Sequence, residues 1–68
     1  MELSARNQLQ GTVQSVQKDG IMAEVVVDVG GQQLVSVITR SSADRLGLAA
    51  GQQVTVVIKS TEVLIAKG

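Results

Sequence analysis

Sixty-eight residues with six basic and six acidic side chains, zero formal charge and no His, Cys, Phe, Tyr or Trp describe one small domain spanning residues 1–68. Neutrality argues against a nucleic-acid footprint or a polybasic membrane patch, and a chain without aromatic rings has no platform on which a base can stack. Neither a disulfide nor a His/Cys metal centre can staple the core, which must come from Val, Ile, Leu, Met and Ala, at about 1.5 to 3 kcal/mol for each large aliphatic side chain fully buried.

The first element expected is a strand over residues 8–16. Leu9, Gly11, Val13 and Ser15 fall on one parity and Gln10, Thr12, Gln14 and Val16 on the other, and Thr and Val suit a pleated surface. Gly11, in mid-strand, marks either a bulge or a close backbone approach. Lys18-Asp19-Gly20 reads as a hairpin turn, because Asp-Gly tolerates positive φ. Residues 21–29 form the clearest strand, with Ile21, Ala23, Val25, Val27 and Val29 on an apolar face and Glu24 and Asp28 on the other. Gly30-Gly31 closes a second hairpin. Residues 33–39 supply a third strand with apolar side chains on both faces, Leu34 and Ile38 against Val35 and Val37, which fits a strand covered on two sides.

The period then changes. Ser41 followed by Asp44 resembles a capping box, Ala43, Arg45 and Leu46 favour a helix, and Gly47 stands where a C′ glycine belongs. One or two helical turns are expected, with Leu46 and Leu48 directed inward to close a barrel end. Residues 54–59 read as a fourth strand and residues 62–66 as a fifth. Strand, strand, strand, short helix, strand, strand is the element order of a small all-β, five-stranded OB-like barrel. A hydrophobic content of 44% in so short a chain further predicts apolar surface buried against other copies.

Catalysis is hard to assemble from this inventory, and no enzyme activity is expected. The common general base and the thiolate nucleophile are missing, the carboxylates are spread singly, and Lys59 and Ser60, adjacent on an extended segment, point to opposite faces. Nothing resembles a calcium loop. What remains is a set of hydrogen-bond donors suited to an anion. Ser4, Arg6 and Asn7 stand within four residues of one another near the N-terminus, and Lys59 and Ser60 near the C-terminus. Arg6 and Lys59 bring charge; Ser4, Thr39, Ser42 and Ser60 bring hydroxyls; backbone amides near Ala5 and Ser42 add directed donors. The same residues also suit ordinary solvated strand ends and turns, in which case the barrel would be a ligand-free interaction or assembly module. Met1-Glu2-Leu3-Ser4 has neither a basic nor an apolar leader region, and the longest apolar run is too short to span a bilayer, so a cytoplasmic protein is expected with no membrane or nucleic-acid partner.

Three separated motifs carry a resemblance over nearly the whole chain. Ser4-Ala5-Arg6-Asn7-Gln8-Leu9 with Gly11, Thr39-Arg40-Ser41-Ser42-Ala43-Asp44-Arg45-Leu46-Gly47-Leu48, and Gly51 with Ile58-Lys59-Ser60-Thr61-Glu62-Val63 are similar to the molbindins, single-domain members of the TOBE group of molybdate-binding modules. The resemblance implies an OB-like barrel assembled as a homohexamer, a trimer of dimers. Tetrahedral molybdate or tungstate would sit at subunit interfaces, held by hydrogen bonds and charge with no direct protein–metal ligand and no organic cofactor. By resemblance the anion contacts are Ser4, Ala5, Arg6, Thr39, Ser42, Lys59 and Ser60, and Asn7, Gly20 and Ile21 belong to a second oxyanion site near a three-fold axis.

Overall fold

The computed structural model describes residues 2–68. Four strands, β1 (Asn7–Asp19), β2 (Met22–Val29), β3 (Gln32–Thr39) and β4 (Gln53–Ile58), form one antiparallel sheet in the order β3-β2-β1-β4. A short helix, α1 (Arg40–Leu46), joins β3 to β4, and a single 3-10 turn, Ser60–Glu62, follows β4. The protein is thus all-β with one short helix, its sheet curled into a half-barrel.

Strand β1 is the spine. Its first half pairs with β4, from Asn7↔Ile58 to Thr12↔Gln53, and its second half with β2, from Thr12↔Asp28 to Asp19↔Met22. One strand can serve both neighbours because it bends. The register with β2 slips between Val13 and Ser15, leaving Gln14 as the extra residue of a bulge, which increases local twist and curls the sheet. Gly11 is the close approach rather than the bulge. A Cβ there would lie 2.5 Å from Val27 Cγ1 and 2.9 Å from the Asp28 carbonyl oxygen.

Both hairpins form, with small corrections. The first turn is Gly20-Ile21, so β1 runs on to Asp19, and Gly20 takes φ +61°. Ile21, expected on the core face, is 81% exposed because it occupies the turn and not the strand. Gly30 and Gly31, at φ +58° and +87°, form the second turn, a pair of left-handed conformations that suits a two-residue hairpin.

The concave side of the sheet carries the core. Val13, Val25 and Val27 are buried, with Val16, Val29, Ile38, Leu48, Val54 and Val56 packed against them, and Ala43 of α1 is buried as well. Each buried side chain is small. Apolar side chains as large or larger stay exposed, among them Leu64 and Ile65, with Val35 and Val37 on the outward face of edge strand β3. A lone chain therefore leaves much apolar surface uncovered.

Three local expectations are corrected at the ends of the elements. The N-cap of α1 is Thr39, whose Oγ1 accepts from the Ser42 N–H at 3.2 Å, and not Ser41, because pairing of β3 persists to Thr39 opposite Met22 and the helix begins at once. Asp44, freed from capping, pairs with Lys18 of β1. Leu46 is 65% exposed, while Leu48 packs on the core as expected. Gly47 does end the helix: at φ +63° it donates to the Asp44 carbonyl at 3.0 Å, and Leu48 donates to that of Ala43 at 3.2 Å, a Schellman closure.

The fifth strand, expected over residues 62–66, is not part of the sheet. Glu62 donates to the Lys59 carbonyl at 2.9 Å and Val63 to that of Ser60 at 3.4 Å, which turns the chain as it leaves β4. Beyond it, Leu64 and Ile65 are 92% and 88% exposed. An apolar run becomes a strand only against a free edge, and none of the chain's own edges receives this one.

Candidate functional site

The sequence places its donors in two clusters, and the fold decides where each goes. Arg6 immediately precedes the Asn7↔Ile58 pair and Lys59 immediately follows it, so the two cations leave the sheet side by side where β1 begins and β4 ends. Ser4 and Ala5 lie just upstream of Arg6, and Ser60 opens the 3-10 turn beyond Lys59. Five of the seven expected contacts, Ser4, Ala5, Arg6, Lys59 and Ser60, are thus brought together by one strand pairing between residues more than fifty positions apart.

Two side-chain amides tie this end down. Asn7 Nδ2 donates to the Ile58 carbonyl at 3.2 Å, and Gln8 Nε2 donates to the Ala5 carbonyl at 2.9 Å. Among the described residues the ion pair is that between Lys18 and Asp44, so neither Arg6 nor Lys59 is neutralised by a carboxylate. This end of the sheet presents two free positive charges with hydroxyls beside them.

The other two expected contacts, Thr39 and Ser42, sit where β3 enters α1. Thr39 Oγ1 donates to Ser42 Oγ at 2.8 Å and approaches Ser41 Oγ at 3.3 Å. Arg45, one helical turn on from Ser42, reaches its hydroxyl in a long 3.5 Å contact. Arg40 N–H donates to the Ile21 carbonyl at 2.8 Å, which seats the Gly20-Ile21 turn against this cluster; Gly20, Ile21, Thr39, Arg40, Ser41 and Asp44 line one shallow depression. Lys18 holds the one carboxylate here: its hydrogen bond and charge keep the Asp44 carboxyl below its ordinary value of 3.8, so the group is ionised and engaged at neutral pH.

Within one chain the two clusters do not meet. The first lies at the Asn7 end of β1, and the second flanks the Asp19–Met22 hairpin at its other end. Twelve steps of about 3.3 Å give β1 a contour near 40 Å, and the longest dimension of the chain is 35 Å. Asn7, expected to share a second site with Gly20 and Ile21, is likewise at the opposite end of β1 from both.

Several participants escaped the sequence reading. Gln8 stands inside the first motif, but no propensity announces its bond to the Ala5 carbonyl. Arg40 and Arg45 flank Ser42, and the i, i+3 spacing of Ser42 and Arg45 was the available signal. None of the described residues forms a group of three or more His, Cys, Asp or Glu able to hold a metal ion, and no helix is long and apolar enough to cross a membrane.

Comparison with known proteins bears on the family and the fold over nearly the whole chain. The TOBE domain pattern matches residues 3–65. Molybdenum-pterin-binding protein 1 of Clostridium pasteurianum is 47% identical over 66 residues, covering 96% of this chain and 97% of that one. A molybdate-binding protein from Sporomusa ovata superposes with a TM-score of 0.94 at 40% identity, over 98% of this chain and 100% of its own. The cytoplasmic molybdate-binding protein ModG, in a form with molybdate bound, matches 88% of this chain with 43% of its length, at 38% identity and a TM-score of 0.84. In sequence and in fold, over residues 3–65, the chain belongs to the TOBE domain family, among the small Mop-type proteins.

Proposed function

We propose that this protein binds molybdate, or tungstate, as a tetrahedral dianion at interfaces between copies of itself, and that it stores or buffers the oxyanion in the cytoplasm. The observation that carries the reading is the division of the donor set by β1: cations and hydroxyls at one end, the Thr39–Ser42 hydroxyl cluster at the other. Two incomplete half-sites on one small chain become whole when the Arg6–Lys59 end of one copy meets the Thr39–Ser42 end of another. Arg6 and Lys59 neutralise the dianion; Ser4, Thr39, Ser42 and Ser60 with the amide near Ala5 fix its oxygens. Charge-assisted hydrogen bonds of this kind contribute about 1.5 to 3 kcal/mol each. A second oxyanion site drawn from Asn7, Gly20 and Ile21 would also need more than one copy, because these residues lie at opposite ends of β1.

The unused apolar surface supports assembly. The concave face of the half-barrel is open, and the exposed tail carrying Leu64 and Ile65 is apolar on successive residues. Covering these by further copies, up to the expected hexamer, would supply burial that the lone chain lacks. All the proposed groups are donors, so a fully ionised oxyanion fits them, whereas phosphate, partly protonated at neutral pH, brings a donor where only acceptors are wanted. Sulfate offers the same charge and acceptors as molybdate, and discrimination against it rests on cavity size.

The test is calorimetric titration with molybdate, tungstate and sulfate on a sample of measured solution mass. Heat with the first two and none with sulfate is the expected result; silence with all three would leave the ligand-free interaction module as the better account. Subunit mixing tests the interface. An assembly of Lys59→Ala chains with Thr39→Ala chains should recover intact sites that neither variant has alone, because one copy supplies what the other lacks. Failure of the mixture to bind would place the site within a single copy.

A further inference from the structure

We propose that Asn7 and Gln8 are positioning residues for the oxyanion site, each gripping one backbone carbonyl and so aiming the following peptide N–H, that of Lys59 or Arg6, at the bound anion. The inference rests on the oxyanion reading and gives Asn7 a different task from the second site. Asn7 Nδ2 holds the Ile58 carbonyl, and Gln8 Nε2 holds the Ala5 carbonyl. In a trans peptide the C=O and the next N–H are coplanar and point in opposite directions, and this chain has no cis bonds among the described residues. Fixing the Ile58 oxygen therefore fixes the direction of the Lys59 N–H, and fixing the Ala5 oxygen fixes that of Arg6.

Both N–H groups belong to the two residues that also carry the site's charge, and among the described residues neither is given to a protein acceptor. The Arg6 N–H stands wholly outside the β1–β4 ladder, where strand pairing no longer holds the backbone, while the Lys59 N–H follows Ile58 of the last ladder pair, whose carbonyl the Asn7 side chain grips as well. Strand ends fray, and a donor that wanders contributes little to binding a small symmetric ion. The Asn7 bond crosses to a residue 51 positions away, so it also locks the Arg6 segment against the Lys59 segment. Gln8, by contrast, reaches back three residues and closes a tight loop around Arg6 itself. One amide sets the spacing of the two segments; the other sets the shape of one of them.

The experiment compares the assembled parent with Asn7→Ala and Gln8→Ala in molybdate titrations at two ionic strengths. Solution mass, melting temperature and amide hydrogen exchange of the ligand-free proteins are recorded alongside. Each substitution should weaken molybdate binding about tenfold, the usual order for groups that orient a binding shell. In Gln8→Ala the number of sites, the mass, the melting temperature and the salt dependence should stay at parent values, since no charge is removed and the bond lost is local. Exchange at the Lys59 amide should quicken in Asn7→Ala, and at the Arg6 amide in Gln8→Ala. Parent-like affinity in both variants would overturn the inference, as would a loss of affinity in Gln8→Ala matched by dissociation or a fall in melting temperature, which marks a merely structural role. Loss of a fraction of the sites in Asn7→Ala, the rest keeping parent affinity, would make Asn7 a ligand and overturn it too. A parent that binds no molybdate sinks the oxyanion reading itself, and that outcome is visible before any variant is made.

Discussion

Gly11→Ala should destabilise the protein although it adds one methyl group to a buried position on a β-strand, ordinarily a mild change. Gly11 does not take a left-handed conformation, so backbone strain plays no part; the cost is steric. The new Cβ would lie 2.5 Å from Val27 Cγ1, 2.9 Å from the Asp28 carbonyl oxygen and 3.0 Å from Val29 Cγ2. Val27 is 3% exposed, and its β-branched side chain has few alternative rotamers, so it cannot swing aside. The Asp28 oxygen is backbone on β2, and yielding there means shifting the β1–β2 ladder beside Thr12↔Asp28. Overpacking of this kind costs about 1 to 3 kcal/mol. At roughly 4 to 8 °C per kcal/mol for a chain of this size, the midpoint is a fall of about 12 °C in melting temperature. The assay is a thermal melt of parent and variant at one fixed protein concentration without ligand, because association and binding both raise apparent stability. Adding Val27→Ala to Gly11→Ala should leave a double variant more stable than the sum of the two single losses, as the Cγ1 clash disappears while the carbonyl clash remains. A melting temperature for Gly11→Ala within a degree or two of the parent would refute the close-approach account.

Other outcomes follow from the same geometry. Arg6→Ala should greatly weaken molybdate binding and flatten its salt dependence while leaving the circular dichroism spectrum and melting temperature in place; unchanged affinity would remove Arg6 from the site. Thr39→Ala removes the N-cap of α1 as well as a proposed oxyanion donor, so a stability loss of about 1 kcal/mol should accompany weaker binding. Leu64→Asp should lower the mass of the assembly in solution, because a 92% exposed side chain supports nothing within its own chain and matters only if another copy covers it; an unchanged mass would dissociate the tail from assembly. Lys18→Ala should raise the Asp44 carboxyl back toward its ordinary value, followed by carbon-detected titration. The folded carboxyl titrates below its unfolded value, so its pairing with Lys18 supports the fold above about pH 4 and fades as pH falls through the lowered value. The acid limb of the stability profile should lose that small, salt-sensitive component in the variant.

Local chemistry made most elements legible. Glycine pairs and Asp-Gly marked the hairpins because few other residues enter left-handed backbone, alternation marked β2 and β3, and Gly47 marked the end of α1. Errors fell at the boundaries between elements. Ser41 looked like the N-cap because the sequence does not say how far β3 stays paired, and Ile21 looked like core because parity alone does not reveal that it sits in the turn. The fifth strand was misplaced for a related reason: residues 62–66 have strand composition, but pairing requires an edge, and the chain turns at Ser60 before one is available.

The candidate site divides along the same line. The residue types of the proposed site stand in the sequence, where Arg6, Lys59 and a set of hydroxyls suit either an anion or ordinary solvated strand ends and turns, and the resemblance to the molbindins is what favours the anion. Their grouping was decided by tertiary structure. Antiparallel pairing of β1 with β4 joins residues 4–6 to residues 59–60, and the length of β1 separates them from Thr39 and Ser42. Side-chain chemistry is a property of each residue and survives in the sequence, whereas register and strand length fix distances between residues far apart in the chain, and only the folded sheet holds those.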